Sequence, residues 1–436
     1  MKRQCYLTLS DESIDLPGVT IDARQLGAPD PRSFGINFRN WLTEPENLKY
    51  FYNIVPQMTP ELNQLTKDII QEEDIKLGSF EDSFLGLKET YRNRDLISKA
   101  RSPEEYNITC DYAVSIMAGP SADDLIPILK EHLKTNPGIL ILACDAIYRR
   151  LLDEGIDPHF VFSSERVECT KQFFNDLPPS KATLVCSQLS THPLVSFWKG
   201  DLCFLISLKP ETIFLFPLLN KAPYNPGVAE MAPWFGNFKK FLKIVLLSHD
   251  FCFKGGKTHA RLLGASHEAV KDSDLAPKVP ILCVDQKYRM TTIIYKTLRD
   301  TLTIALHKLK DTLKVSVLID PSLEHQPAIL EGTETIVVLP AAPNPIVIER
   351  LAVTSKPNHF EELLDELKGS CNWAWLMEKE SLRHCVAPLL LKEYIHHQGQ
   401  EWSSRASQVV EVNLNTICEA LLGNRNLRSR DVWSIT

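Results

Sequence analysis

Between residues 110 and 340, short runs of consecutive apolar residues alternate with segments whose apolar positions recur every three or four residues. The runs Ala113–Ala118, Ile139–Cys144, Phe160–Ser163, Thr183–Cys186, Leu202–Ile206, Ile244–Leu247 and Pro280–Val284 predict strands. The segments Asp123–Lys134, Ile147–Glu154, Cys169–Asp176 and Ala229–Phe238 predict helices between them. Unbroken apolar runs, rather than strict alternation, suit strands buried on both faces. The expected fold class is therefore α/β, with a central, mainly parallel sheet.

The flanks read differently. Residues 1–105 open with sequence rich in Asp, Gly and Pro and then predict helices, with a capping box at Thr43-Glu-Pro-Glu46 and a helix start at Thr59-Pro60-Glu61. Downstream, a long amphipathic helix is expected from Thr291 to about Leu313, followed by strands Val315–Ile319 and Thr335–Leu339. A linker rich in proline, at Pro340, Pro343 and Pro345, then leads into a largely helical stretch that includes His359–Leu367, Lys379–His397 and Val409–Leu422. Three regions are expected: a mostly helical module over 1–105, a central α/β domain over 106–342, and a helical region over 343–436.

The stretch Val114 to Asp124 organises the central domain. An apolar run is stopped by Gly119-Pro120, and Ser121 stands three residues before Asp124, the spacing of a capping box. A helix whose free N–H groups open above a sheet seats a phosphate readily; the plainer alternative is a well-capped helix. Ligands of parallel sheets lie beyond the carboxyl ends of the strands, and those ends are polar here. They carry Asp145, then Ser163-Ser164-Glu165-Arg166, then Ser187-Gln188. A later one carries Ser248-His249-Asp250, followed by Gly255-Gly256-Lys257-Thr258-His259.

Charge and composition narrow the function classes. A net charge of -7 and a pI near 6.0 argue against a general nucleic-acid binder. No stretch of about 18 apolar residues predicts a membrane span, and acidic residues at Asp11, Glu12 and Asp15 interrupt any signal-peptide core. The eleven cysteines show no Cys-x-x-Cys and no zinc-ligand spacing, which suits a reducing cytoplasm.

Several segments together resemble the bacterial motility-associated factor proteins, grouped with the 6-hydroxymethylpterin diphosphokinase-like domain. They are Ile116-Met-Ala-Gly-Pro-Ser121, Cys144-Asp145, Gly155-Ile-Asp-Pro-His159, Ser248-His-Asp250, Gly256-Lys-Thr-His-Ala260, Thr291 or Thr292, and Ala328-Ile-Leu-Glu-Gly-Thr333. The chain resembles a divergent member. His159 stands where that family usually has Asp, Glu165 replaces Asp, Ser248-His249 replaces Gly-Gln, and the glycine-rich turn is reduced to Pro226-Gly227-Val228.

The resemblance implies a Rossmann-like central domain, similar to CMP-sialic-acid-dependent sialyltransferases of the GT-A-like kind. It implies transfer of a nonulosonic, sialic-acid-like sugar from a CMP donor to Ser or Thr of a protein such as flagellin, in the cytoplasm. On that reading Gly119, Pro120 and Ser121 hold the donor phosphate, and Asp145 with Glu165 or Gln188 reads ribose or base. His259, or in reserve His249, is the general base, oriented by Asp250. Lys257 with Thr258, or Arg166, meets the charge on the departing nucleotide. Archaeal relatives imply a second reading, pyrophosphoryl transfer from ATP to a hydroxymethylpterin-like acceptor, with Mg²⁺ on Asp145, Glu165 and Asp250. The departures from the family pattern motivate a third, a non-catalytic nucleotide-binding protein.

Overall fold

In a computed structural model the structure describes residues 5–8, 19–22, 80–166, 168–177, 181–219, 221–222, 227–260, 278–371, 373–390, 411–423, 425–428 and 431–434. The capping box at Thr43, the helix start at Thr59 and the later part of Lys379–His397 lie outside the described residues.

The chain divides into two compact units, one of Glu89–Lys209 with Leu218–Asn358, the other of Met1–Lys88, Pro210–Pro217 and His359–Thr436. The second carries short helices at Pro210–Leu215, Phe360–Glu366 and Glu380–Cys385, and a longer one at Leu414–Leu422. It also carries a small antiparallel sheet of Ser370–Cys371, Glu411–Asn413 and Trp433–Ser434.

The first unit holds the nine-stranded sheet. Its strands are β1 (Tyr112–Ile116), β2 (Ile139–Cys144), β3 (Phe160–Ser163), β4 (Thr183–Ser187), β5 (Leu202–Ser207), β6 (Lys221–Ala222), β7 (Lys243–Leu247), β8 (Lys314–Leu318) and β9 (Glu334–Ile336). They lie side by side in the order β9-β8-β7-β1-β2-β3-β4-β5-β6, and every pairing is parallel. The expected α/β fold with a central parallel sheet is the one found.

Helices cover both faces. After helix α1 (Phe80–Lys99) come α2 (Ala122–Leu133), α3 (Asp145–Asp153), α4 (Val228–Phe238) and α5 (Ile293–Leu309). Leu140, Leu142, Phe160 and Phe162 pack with Met231 and Phe235 of α4 and Leu302 and Leu306 of α5. Their neighbours Ile139, Ile141, Val114 and Ile116 face the other way, onto Leu125, Ile126 and Leu129 of α2 and Ile147 and Leu151 of α3. Successive side chains of a strand point to opposite faces, so a strand covered on both sides needs every position apolar. That requirement is the origin of the unbroken runs in the sequence.

Several elements differ from expectation: the helix expected over Val409–Leu422 begins as the strand Glu411–Asn413, and that over Cys169–Asp176 is a 3₁₀ segment, Glu168–Phe174. The run Pro280–Val284 does form a strand, Lys278–Leu282, but it pairs antiparallel with Tyr288–Thr292 outside the parallel sheet. Lys278 and Pro280 are exposed while Ile281 is buried, the pattern of a ribbon wet on one side. The linker after Pro340 is followed by a strand, Val347–Arg350, which pairs antiparallel with Tyr106–Thr109. Its charged Glu349-Arg350 end hides it from an apolar reading.

Sequence order fixes where a crevice opens. The chain builds outward from β1 through β2 to β6, then returns by α4 to lay β7 on the other side of β1. Connections on the two sides leave in opposite directions, so the carboxyl ends of β1 and β7 form the topological switch point of a doubly wound sheet.

Candidate functional site

At the switch point the segments leaving β1 and β7 run in contact. Met117 N–H donates to Leu247 O at 3.1 Å, and Gly119 N–H donates to Ser248 O at 3.2 Å. The approach requires glycine, since a Cβ at position 119 would stand 2.4 Å from Ser248 O and 2.7 Å from Asp250 Oδ2. Ser248 and Phe251, with φ of 63° and 51°, bracket His249-Asp250. Left-handed conformations of this kind cost non-glycine residues of order 1–3 kcal/mol each and persist only where the surroundings over-determine them.

Asp250 is buried and reaches across to the start of α2. Its Oδ2 accepts the Ser121 N–H at 2.6 Å and its Oδ1 accepts the Ser121 hydroxyl at 2.6 Å. The capping box expected at Ser121 and Asp124 does not form. Ser121 has helical φ/ψ and spends its hydroxyl on Asp250, while the Asp124 carboxylate pairs with Lys254. The anion at the N-terminus of α2 is therefore a carboxylate of the chain itself.

His249 and His325 flank Asp250 differently. His249 is buried, with Nδ1 3.2 Å from Leu247 O and Nε2 3.5 Å from Ser115 Oγ. Burial pushes its imidazole down to about 4, so the ring is neutral at physiological pH and packs against β1. His325, absent from the sequence reading, places Nε2 3.6 Å from Asp250 Oδ2. It comes from an irregular loop that also clamps the backbone, since Ala328 N–H donates to Asp250 O at 2.9 Å. No periodicity marks that loop, and the family-like segment Ala328–Thr333 begins three residues after His325.

The ends of β2 to β5 make a second polar layer. Asp145 is buried and accepts the Ser163 hydroxyl at 2.7 Å. Burial raises its carboxyl to about 6, with the Ser163 bond pulling it down and the charge of Glu165 pushing it up. Gln188 is buried, its Oε1 accepting the Ser207 N–H at 3.2 Å and its Nε2 donating to the Ser207 hydroxyl. That side chain ties the end of β4 to the end of β5. Glu165 is exposed and Arg166 half-buried where the chain leaves β3. His159 lies at the opposite end of the sheet, where its Nδ1 accepts the Ile141 N–H at 3.0 Å and completes the β2–β3 ladder.

Asp145 makes a testable contribution to stability. A carboxyl that keeps its proton to higher pH when folded contributes stability below its unfolded value of 3.8, and this is lost as pH rises through about 6. Asp145→Asn abolishes that loss. Urea denaturation should show the variant gaining on the native protein by roughly 3 kcal/mol between about pH 4 and pH 7. The opposite slope from His249 is common to both proteins and cancels in the difference.

The rim is built by the segment after Asp250. Lys254 and Lys257 exchange backbone hydrogen bonds at 3.0 Å around Gly255 and Gly256, whose φ values of 56° and 80° are those of a two-residue hairpin turn. Ala260 N–H donates to Ala118 O at 3.0 Å and brings His259 to the end of β1. His259 is exposed, with Nδ1 2.8 Å from Thr258 Oγ1 and Nε2 3.5 Å from the Tyr295 hydroxyl on α5. Tyr295, too, escaped the sequence reading, since it falls on an ordinary amphipathic helix. Among the described residues no three His, Cys, Asp or Glu side chains are placed to hold a metal ion. Asp145, Glu165 and Asp250 are thus not gathered into a single three-carboxylate cluster. Among the described residues no helix is long and apolar enough to cross a membrane.

Residues 87–256, which contain β1 to β7 and the Asp250 segment, match the family described as 6-hydroxymethylpterin diphosphokinase MptE-like. Among solved structures the chain is similar to the MAf glycosyltransferase from Magnetospirillum magneticum AMB-1, with 14% identity and a TM-score of 0.50. The match covers 93% of this chain and 64% of that one, so this chain spans under two thirds of that protein's length. At that identity the likeness is one of fold. No curated protein matches the chain. Over residues 87–256 the chain is thus similar to the MptE-like family, on a sheet architecture shared with that glycosyltransferase.

Proposed function

We propose that the chain is a glycosyltransferase that moves a nonulosonic, sialic-acid-like sugar from a CMP donor to a Ser or Thr hydroxyl of a protein such as flagellin. The observation that carries this reading is the junction at the β1–β7 switch point, where Gly119, Ser121, Asp250 and His259 are brought to one place by backbone and side-chain hydrogen bonds. The fold shared with a glycosyltransferase supports it.

In this mechanism the Gly119-Pro120-Ser121 turn, whose Ser121 N–H and hydroxyl are taken by Asp250, is a rigid wall of the donor site rather than the seat of its phosphate. Asp145 and Glu165 at the ends of β2 and β3 meet the ribose, while Gln188 holds the strand ends in register. His259 takes the proton of the acceptor hydroxyl as its oxygen bonds the anomeric carbon. The bond from that carbon to the phosphate oxygen breaks, and Lys257 with Thr258, or Arg166, meets the charge left on CMP. The acceptor is a protein, and the reaction is placed in the cytoplasm.

Thermal unfolding with CMP, and with ATP plus Mg²⁺, tests the reading. CMP without metal should stabilise the protein, by about 2.7 kcal/mol at a hundredfold excess over Kd. Stabilisation by ATP only with Mg²⁺ would move the assignment to pyrophosphoryl transfer. No shift with either would leave a protein that does not bind nucleotide at this crevice, and the proposal would fall.

A further inference from the structure

The segment that carries Asp250 runs on into a buried pair of thiols that the proposed transfer does not use. Cys252 follows Asp250 by two residues, and Cys283 lies just after the strand Lys278–Leu282. Both are free and buried, and their sulfurs are 3.8 Å apart. Cys252 Sγ is 4.0 Å from His325 Nε2 and 3.5 Å from Gln326 O. The Cys283 side is faced by Arg289, whose guanidinium is gripped by Asp285 at 2.6 and 2.8 Å.

Backbone bonds lace the surrounding segments together. Ala328 N–H donates to Asp250 O, Val284 N–H to Pro327 O and Ile329 N–H to Leu282 O, each at 2.9–3.0 Å. The two thiols differ in character. The neighbouring Cys252 and the Arg289 guanidinium hold the Cys283 thiol below its usual range, while Cys283 and burial push Cys252 above it. An acidic thiol beside a protonated partner is the arrangement of an oxidisable cysteine with its resolving cysteine. The strand cysteines Cys144 and Cys186 are unlike it, since burial drives both of their thiols upward.

We propose that Cys252 and Cys283 form a peroxide-sensitive dithiol that closes to an intramolecular disulfide. The Cys283 thiolate attacks one oxygen of hydrogen peroxide, the O–O bond breaks, and Cys283 sulfenic acid and hydroxide result. Cys252 sulfur then attacks the Cys283 sulfur, the S–O bond breaks, and the departing hydroxide leaves as water with the Cys252 proton. The hydroxide from the first step takes the proton that Cys283 gave up on ionising. Two thiols are oxidised by two electrons, and one peroxide is reduced to two waters. His325 stands next to Cys252 to relay its proton.

A small oxidant reaches the pair through the adjoining turn. Gln286, Lys287 and Tyr288 are exposed, and Gln286 has a φ of 62°. Opening such a turn locally takes far less free energy than unfolding the sheet. The disulfide would tie the Asp250 segment to the ribbon that leads into α5 and Tyr295. It would fix the spacing of two walls of the crevice.

The test uses the reduced full-length chain, treated with hydrogen peroxide, alkylated to block remaining thiols, and mapped as peptides without reduction. A linked pair carrying Cys252 and Cys283 should appear, about 2 Da lighter than the sum of its parts. Dithiothreitol should return it to two separate peptides. Cys283→Ser should give no link while its Cys252 still alkylates after reduction. Recovery of both native cysteines as alkylated thiols after peroxide would overturn the proposal. So would over-oxidation of Cys283 without a link, or pairing of either with another cysteine. The native readout needs neither the variant nor any transferase activity.

Discussion

Replacement of His259 by alanine should slow sugar transfer by about 10²–10⁴-fold, the range contributed by a positioned general base, with CMP stabilisation unchanged. The ring is exposed, so its loss costs little packing, and thermal unfolding without ligand should match the native protein. It is held at the crevice mouth from three directions. Thr258 Oγ1 lies 2.8 Å from Nδ1, the Tyr295 hydroxyl 3.5 Å from Nε2, and Ala260 N–H is fixed to Ala118 O. His249 offers no substitute, because it is buried and its ring nitrogens face Leu247 O and Ser115 Oγ. Unchanged turnover in His259→Ala, measured by CMP release with an acceptor protein, would remove His259 from the chemistry. Loss of both turnover and CMP stabilisation would instead make it part of the donor site.

The parallel sheet was legible because burial on both faces imposes a local requirement: every position must be apolar for four to six residues. Ile139–Cys144 and Phe160–Ser163 are read with the observed ends. The ribbon of Pro280–Val284 was legible as a strand but not as an outsider to the sheet, since partner choice is a long-range matter. The site followed the same division. Strand ends could be named from the sequence, and Asp145 and Asp250 are buried at them. What joins them could not. Ser121 and Asp250 are 129 residues apart, and His325 reaches Asp250 from a loop with no repeating pattern. A capping box at Ser121 was the local solution to an unpaired N–H. The fold used a distant carboxylate, which satisfies both the N–H and the hydroxyl at once.

That choice makes Asp250 the side chain with the largest expected effect on stability. In Asp250→Ala the Ser121 N–H and hydroxyl lose their shared acceptor in a buried setting, and His325 loses its carboxylate. Hydrogen bonds to a charged group contribute about 1.5–3 kcal/mol each, and breaking a buried charged cluster costs about 3–5 kcal/mol. The expected loss is therefore about 3–5 kcal/mol by urea denaturation. Asn at the same position should lose less. Its single carbonyl oxygen must serve the Ser121 N–H, which has no alternative, and its NH₂ then faces a hydroxyl that can rotate to accept. Gly119→Ala should weaken the same junction from the other side, because the added Cβ meets a backbone carbonyl at 2.4 Å and the Asp250 carboxylate at 2.7 Å. Over-packing of this kind costs about 1–3 kcal/mol, to which the displaced Asp250–Ser121 contacts add. The double variant Gly119→Ala, Asp250→Ala should fall short of the sum of the two single losses, because both act on one junction. Strict additivity would show that the glycine and the aspartate act independently, and the crevice would then lack the shared wall on which the donor is proposed to rest.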